Sequence, residues 1–343
     1  MKRASLIFAK PYSISLQTEN IHPPADHEVL IKTKLSAISA GTELLVYRGE
    51  FPLQMPVDAQ IKGLSQPFRY PLKYGYSSVG EVTAVGSAVN KEWLGRQVFS
   101  FHPHESHFVA PLVEVIPIPA DIDLMEALFL PNVETAVNFV MDGRPVIGER
   151  AVIFGQGIVG LLTAALLVQF PLGRLVTLDR FAIRRRASLD MGAHHTLDPE
   201  SPTLLSDLAA LMDADSAVGF ADLLYELSGN PAALNQAVCL AGFGARIVIG
   251  SWYGTKPANL DLGGRFHRNR IRLISSQVST LAPEFSGRWT KNRRLTTAWD
   301  MIRKIKPAPL ITHQYPIRKA NEAFELLDKN PAEALQVIIS YDS

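Results

Sequence analysis

The chain has 343 residues, 47% hydrophobic and 20% charged, with a formal charge of +1 and one cysteine. That length suits two domains. The near-neutral charge excludes a global field for nucleic acid or an anionic membrane, and one cysteine excludes an internal disulfide framework or a cysteine-based zinc cluster.

The opening stretch MKRASLIFAKPYSI breaks its apolar run too early for a signal peptide. No run approaches the ~18 apolar residues of a membrane span, so the expectation is a soluble, cytoplasmic protein. Residues 1–120 are rich in strand signals: Ser5–Phe8, Glu28–Thr33, Gly80–Val85 and Gln97–Phe101, punctuated by Gly and Pro. Residues 51–70, with mixed polarity and several prolines, read as a loop or lid. From about 124 the pattern changes. Helices are expected over 124–130 and 134–140, then a strand at Ala151–Phe154, a helix over 158–169, a strand at Leu175–Leu178 and a helix over 181–191. Further strands read at Ala221–Tyr225, Ala245–Ile249 and Arg272–Ser276. Strands alternating with helices imply a parallel sheet covered on both faces. A helix over 289–304, a strand over 310–313, a helix over 318–328 and a strand over 335–340 close the chain. Cys239, in Gln-Ala-Val-Cys-Leu-Ala-Gly, reads as a small core residue, and Arg184-Arg185-Arg186 as a solvated helix face.

The most informative stretch is Ala151-Val-Ile-Phe-Gly-Gln-Gly-Ile-Val-Gly160, a G-x-G-x-x-G between an apolar strand and an apolar helix. An acid, Asp179, follows Gly160 by nineteen residues at the end of the next strand. This context points to a dinucleotide fingerprint. Gly155 permits the tight turn, Gly157 lets the backbone approach a pyrophosphate, and Gly160 lets helix and strand pack closely. The helix N-terminus, with Gln156 and Ile158 beside it, offers N–H groups to phosphate. Asp179 would accept hydrogen bonds from ribose hydroxyls and repel a 2′-phosphate, which favours NAD. Arg180 and Arg184 could neutralise that phosphate, which leaves NADP open. Gly250-Ser251-Trp252 follows a strand end where ligands collect, with Tyr253 beside it as a pocket wall. Arg265, His267, Arg268 and Arg270 read as surface charge.

With this turn behind a β-rich segment, the chain resembles the medium-chain dehydrogenase/reductase family, in its alcohol dehydrogenase-like form. Ile38-Ser-Ala-Gly-Thr-Glu43, Tyr74-Gly-Tyr-Ser-Ser-Val-Gly-Glu-Val82 and Gly95-Arg-Gln-Val98 carry the likeness over nearly the whole length. The resemblance implies an α/β protein: a GroES-like β-rich catalytic domain over 1–132 and 281–343, and a Rossmann doubly wound parallel-sheet domain over 133–280. It implies an active site in the cleft between them, a small-molecule substrate and a homodimer. It places Thr135 and Val159 at the nicotinamide. Locally, residues 36–43 and 70–80 look most like the bacteriochlorophyllide dehydrogenase branch; that branch's substrate is not carried over.

The departures bear on chemistry. Where many family members hold a catalytic zinc, this chain has Ala40, Tyr76 and Ser77, and the family's structural-zinc lobe is absent; no zinc is expected. Without a metal, a positioned donor must stabilise charge on the substrate oxygen. Tyr76, at a family ligand position, reads either as that donor or as a plug for the vacated space. Thr42 matches the family's proton-handling hydroxyl, and Leu45 replaces its relay histidine. His102-Pro-His-Glu-Ser-His107 reads as a solvated loop whose His102 or His104 could serve as acid/base. The expected activity is zinc-independent, NAD(P)-dependent hydride transfer on a carbonyl/alcohol or an enone. The rivals are a zinc enzyme with ligands relocated to His102, His104 and Glu134, and a non-catalytic NAD(P)-binding protein.

Overall fold

Short runs of Val, Ile, Leu and Phe between Gly and Pro form strands, and the computed structural model describes them over residues 1–52, 67–212 and 219–341. Most of the loop or lid read over 51–70 lies outside the described residues. The chain divides into two compact units, Met1–Pro131 with Lys306–Ser343, and Asn132–Ile305.

The first unit begins with β1 (Lys2–Lys10), β2 (Ser13–Asn20), β3 (Glu28–Ala37), α1 (Ala40–Arg48), β4 (Ser78–Val85), β5 (Gln97–Ser100), β6 (His107–Pro111), β7 (Val115–Pro117) and α2 (Leu124–Ala127). The chain passes into the second unit along α3 (Leu130–Gly143). There follow β8 (Arg150–Phe154), α4 (Ile158–Leu167), β9 (Arg174–Leu178), α5 (Ala182–Asp190), β10 (His195–Leu197) and α6 (Leu204–Met212). Then come β11 (Ala221–Glu226), α7 (Pro231–Leu240), β12 (Ala241–Ile249), β13 (Arg272–Ser275) and α8 (Lys291–Ile305). The chain returns to the first unit as β14 (Ile311–Pro316), α9 (Ala320–Lys329) and β15 (Gln336–Ser340).

In the first unit the larger sheet runs β14-β15-β3-β4-β5-β7, with β6 also pairing β3. The tail rejoins the start of the chain: β15 lies antiparallel to β3, with Ile338 opposite Ala37. Its side chains enter one core with the N-terminal strand and α1, where Leu6, Phe8, Val46, Tyr47, Phe324, Val337 and Ile339 pack together. Each such buried side chain contributes about 1.5–3 kcal/mol relative to exposure.

The second unit is built on a sheet of order β10-β9-β8-β11-β12-β13, every pairing of which is parallel. Its strands are hydrophobic on both faces, as a sheet covered on both sides requires. The order reverses between β8 and β11, which puts the ligand crevice of this topology at their C-terminal ends.

Three readings need correction. Residues 281–305, assigned from sequence to the catalytic domain, group with the second unit. The physical reason is Arg294 on α8, fully buried and bonded to Glu134 and Asn138 of α3. Cys239 is exposed on α7 rather than in the core. Arg185 is half-buried rather than simply solvated; it donates to the carbonyls of Asp179 and Arg180 and to Asp198.

Candidate functional site

In the second unit, β8 delivers Gly155 with φ +86°, a left-handed conformation suited to glycine. A Cβ there would lie 2.5 Å from Ser228 Cα, and one on Gly160 would lie 2.0 Å from Gly155 O. Turn, helix and neighbouring loop therefore close on one another with no room for a methyl. Gly157 is different. It is the N-cap of α4, and a Cβ on it would meet nothing within 4 Å. That open face, at a helix N-terminus whose first N–H groups lack intrahelical partners, suits a pyrophosphate. Ile158 and Val159 are half-buried in the first turn of α4. Gln156 is fully buried; its Nε2 donates to Gly155 O, and its Oε1 has no partner among the described residues.

Asp179 follows the last residue of β9 and is buried. Its Oδ2 accepts from Gln156 N at 2.7 Å and its Oδ1 from Phe181 N at 2.8 Å. The sequence reading gave this acid to ribose alone; it also ties the glycine turn to the next loop. A carboxylate has about four acceptor sites, so capacity for a ribose remains. Arg180 and Arg184 both lie over the Phe181 ring, at 4.6 and 4.8 Å. Arg184 also stands 3.8 Å from Asp179, and burial lowers its pKa against the pull of that acid.

After β12, Gly250 packs so tightly that a Cβ would sit 2.3 Å from Phe139. Gly250 N and Ser251 N both donate to Glu226 O, and Ser251 Oγ accepts from Gly229 N at 2.8 Å. Trp252 is exposed and Tyr253 donates to Glu226 Oε2. Thr135 is half-buried on α3. Glu134 beside it is engaged: its Oε1 accepts from Arg294 Nε at 3.1 Å and Nη2 at 2.9 Å. Burial raises its pKa although Arg294 opposes the shift. Glu134 is thus held by the buried Arg294 guanidinium through Oε1.

In the first unit the structure gathers Tyr76 and Thr42. The Tyr76 hydroxyl donates to Ser39 Oγ, and Thr42 Oγ1 lies 3.4 Å from it. All three are half-buried. Ser39, which the sequence reading did not single out, is the N-cap of α1. Its N–H donates to Glu43 Oε1 at 2.8 Å, one turn on. Glu43 comes four residues after Ser39 rather than the three of the usual helix-start signal, so that pattern does not find it. Ser77 is spent on structure, donating to Leu128 O at 2.7 Å, and Leu45 is core.

The histidine run is not a solvated loop. His104 is fully buried, with Nε2 2.9 Å from Glu43 Oε2 and Nδ1 2.6 Å from Ser36 Oγ. Ser36 in turn lies 2.8 Å from Tyr341 OH. Gly75, at φ +120°, makes room, since a Cβ there would meet His104 Cδ2 at 2.7 Å. With both nitrogens engaged in the interior, His104 is not an accessible acid/base. His102 goes elsewhere: it stacks on Phe108 at 3.8 Å, and its Nε2 lies 2.9 Å from Glu105 Oε2. Burial lowers its pKa while Glu105 opposes. Glu105 also meets Arg3, Lys73 and Ser5. Burial works to raise its pKa, but the His102 and Lys73 contacts outweigh it and bring it to about 2. Among the described residues no group of three or more His, Cys, Asp or Glu side chains could hold a metal.

No protein-family model matches the chain. It is 26% identical over 341 residues to L-threonine 3-dehydrogenase of Bacillus subtilis, spanning 88% of each chain. The fold matches that of the E. coli RspB alcohol dehydrogenase, crystallised with NADH, with a TM-score of 0.79, 20% identity and 99% of each chain covered. It also matches 2R,3R-butanediol dehydrogenase from Bacillus subtilis, with a TM-score of 0.80, 17% identity and coverage of 99% of this chain and 100% of that one. Sequence relative and fold neighbours alike are dehydrogenases, and together they support placing this chain among the medium-chain, alcohol dehydrogenase-like, NAD(P)-dependent oxidoreductases.

Proposed function

We propose that this chain is a zinc-independent, NAD(H)-preferring oxidoreductase acting on a carbonyl/alcohol pair, with the Tyr76 hydroxyl cluster handling the substrate proton. The observation that carries the reading is the joining of Tyr76 to Ser39 and Thr42, where the family resemblance would put metal ligands. The residues there do not fit zinc. Ala40 has no electron pair to give, Ser77 is bonded to a main-chain carbonyl, and a neutral phenol is a poor zinc ligand.

A bound nicotinamide cofactor supplies or accepts the hydride. The protein's part is to hold it and to manage charge on the substrate oxygen. Tyr76 hydrogen-bonds that oxygen: in oxidation its oxygen takes the substrate hydroxyl's proton as its own passes to Ser39 Oγ and Ser39's passes on to water, and in reduction each transfer reverses. The alcohol pair is favoured over an enone because the named relatives act on hydroxyl compounds. NAD is favoured because Asp179 stands where a 2′-phosphate would be repelled. Two copies form the working dimer, so a monomer mass in light scattering would count against that part.

The test is a turnover panel with NAD+ and NADP+. It should include L-threonine and 2,3-butanediol, the compounds in the relatives' names. On the substrate found, Tyr76→Phe should lower kcat about 100-fold and leave NADH affinity unchanged. Unchanged turnover would make Tyr76 a space-filler. Finding about one zinc per chain in protein purified without added metal would return the chemistry to a metal. NADH binding without turnover on any panel member would leave a nucleotide-binding protein.

A further inference from the structure

The geometry points to Tyr253 and Glu226 as a latch that positions the loop after β12 for the nicotinamide half of the dinucleotide; this rests on the nucleotide reading above. In a sheet of this order the first half, β8 to β10, takes the adenosine side and the second half, β11 to β13, the nicotinamide side. Glu226 is the last residue of β11, fully buried, and pairs in register with Phe154, the residue before the glycine turn. A carboxylate therefore lies buried at the switch point, where its neighbours in register are Phe154 and Ile249.

That carboxylate forms no ion pair among the described residues. A buried acid without a cation is costly unless hydrogen bonds offset the lost water. Here they do, and they come from the two loops at the sheet's edge. Ser228 donates to Oε1 with its N–H at 2.9 Å and with its hydroxyl, and the Tyr253 hydroxyl donates to Oε2. The main-chain oxygen of Glu226 holds Gly250 N and Ser251 N, each at 3.1 Å. One residue thus fixes residues 228 and 250–253 together. Neither loop has slack, because Gly155 abuts Ser228 and Gly250 abuts Phe139. Burial, then the bond to Glu226, raises the Tyr253 pKa, so the phenol stays a donor.

The experiment is calorimetric titration of the full chain and of Tyr253→Phe and Glu226→Gln with NADH and with ADP-ribose, which lacks the nicotinamide. Tyr253→Phe should weaken NADH roughly tenfold and leave ADP-ribose within about twofold, the size expected for one charge-assisted hydrogen bond. Glu226→Gln should shift NADH in the same direction, and the thermal midpoint of Tyr253→Phe should stay near the wild-type value. NADH binding unchanged in both variants would overturn the latch. Parallel loss of both ligands with a lowered midpoint would also overturn it, since the pair would then only hold up the fold. A wild-type chain that binds neither ligand would remove the nucleotide reading itself, which is a different result from wild-type binding that the variants leave untouched.

Discussion

The glycine turn after β8 and the hydroxyl cluster at the start of α1 are specified in different ways. The turn is written in the backbone. Its residues matter because they lack a Cβ, and any side chain at Gly155 or Gly160 would overlap main-chain atoms. The cluster is written in side chains held by a buried support. Glu43 caps α1 through Ser39 N–H and is itself held by His104, which rests on Ser36 and Tyr341. A backbone-coded site is sensitive to added atoms; a side-chain-coded site is sensitive to atoms removed far beneath it.

Four measurements sharpen or break that contrast. Glu43→Ala should have the largest effect, because it strands His104 Nε2 in the interior and unpairs the N–H of half-buried Ser39. At ~1–3 kcal/mol for each unsatisfied group, urea unfolding should show a loss of about 4 kcal/mol with NADH affinity retained in the folded fraction. A neutral outcome would mean that the support carries nothing. Glu105 comes next. Its folded pKa of about 2 lies below the ordinary glutamate value, so its contribution is present above about pH 4.5 and is lost as pH falls toward 2. That amounts to about 3 kcal/mol. His102, whose pKa is also lowered, acts in the same sense: its share is present above its ordinary value and is lost as pH falls below it. Glu105→Gln should flatten the acid limb of the melting-temperature profile, and an unchanged limb would refute the assignment. Gly160→Ala should raise the NADH dissociation constant about 100-fold, because the methyl must displace Gly155 O. Retained affinity would show that the turn has slack. Asp179→Asn should be the mildest, narrowing the NAD over NADP preference in kcat/KM about tenfold. An unchanged ratio would leave Asp179 as a structural tie between Gln156 and Phe181 only.

The same contrast explains what was legible in the sequence. Strand, glycine turn and helix at 150–167 follow local rules, and so do the later strands of the parallel sheet. Short β10 carries too few residues to show a period. Helix α1 was missed because Ala40-Gly-Thr-Glu43 gives little apolar pattern; the helix is set by its cap and by burial of Leu44–Tyr47 against the core. His104 was misread for a plain reason. Pro, His, Glu and Ser in a row look solvated, and nothing local reveals that Ser36, Glu43 and Tyr341 come from distant positions to satisfy the ring. Gly75 was the one local hint, since its left-handed backbone is the space His104 fills. The Glu226–Tyr253 pair was hidden for the same reason: its partners are 27 residues apart and meet only when two strands lie side by side.

Because β15 supplies the partner for β3, the first unit is sewn shut by residues made some 300 positions after β3. On the ribosome, Asn132–Ile305 emerges as one uninterrupted stretch and can close while the Leu35–Ala37 end of β3, beyond its pairing with β6, still presents an open edge. Until 336–340 is released, that edge is available to foreign strands, so nascent chains stalled before α9 should be clients for holding chaperones, and full-length chains should not.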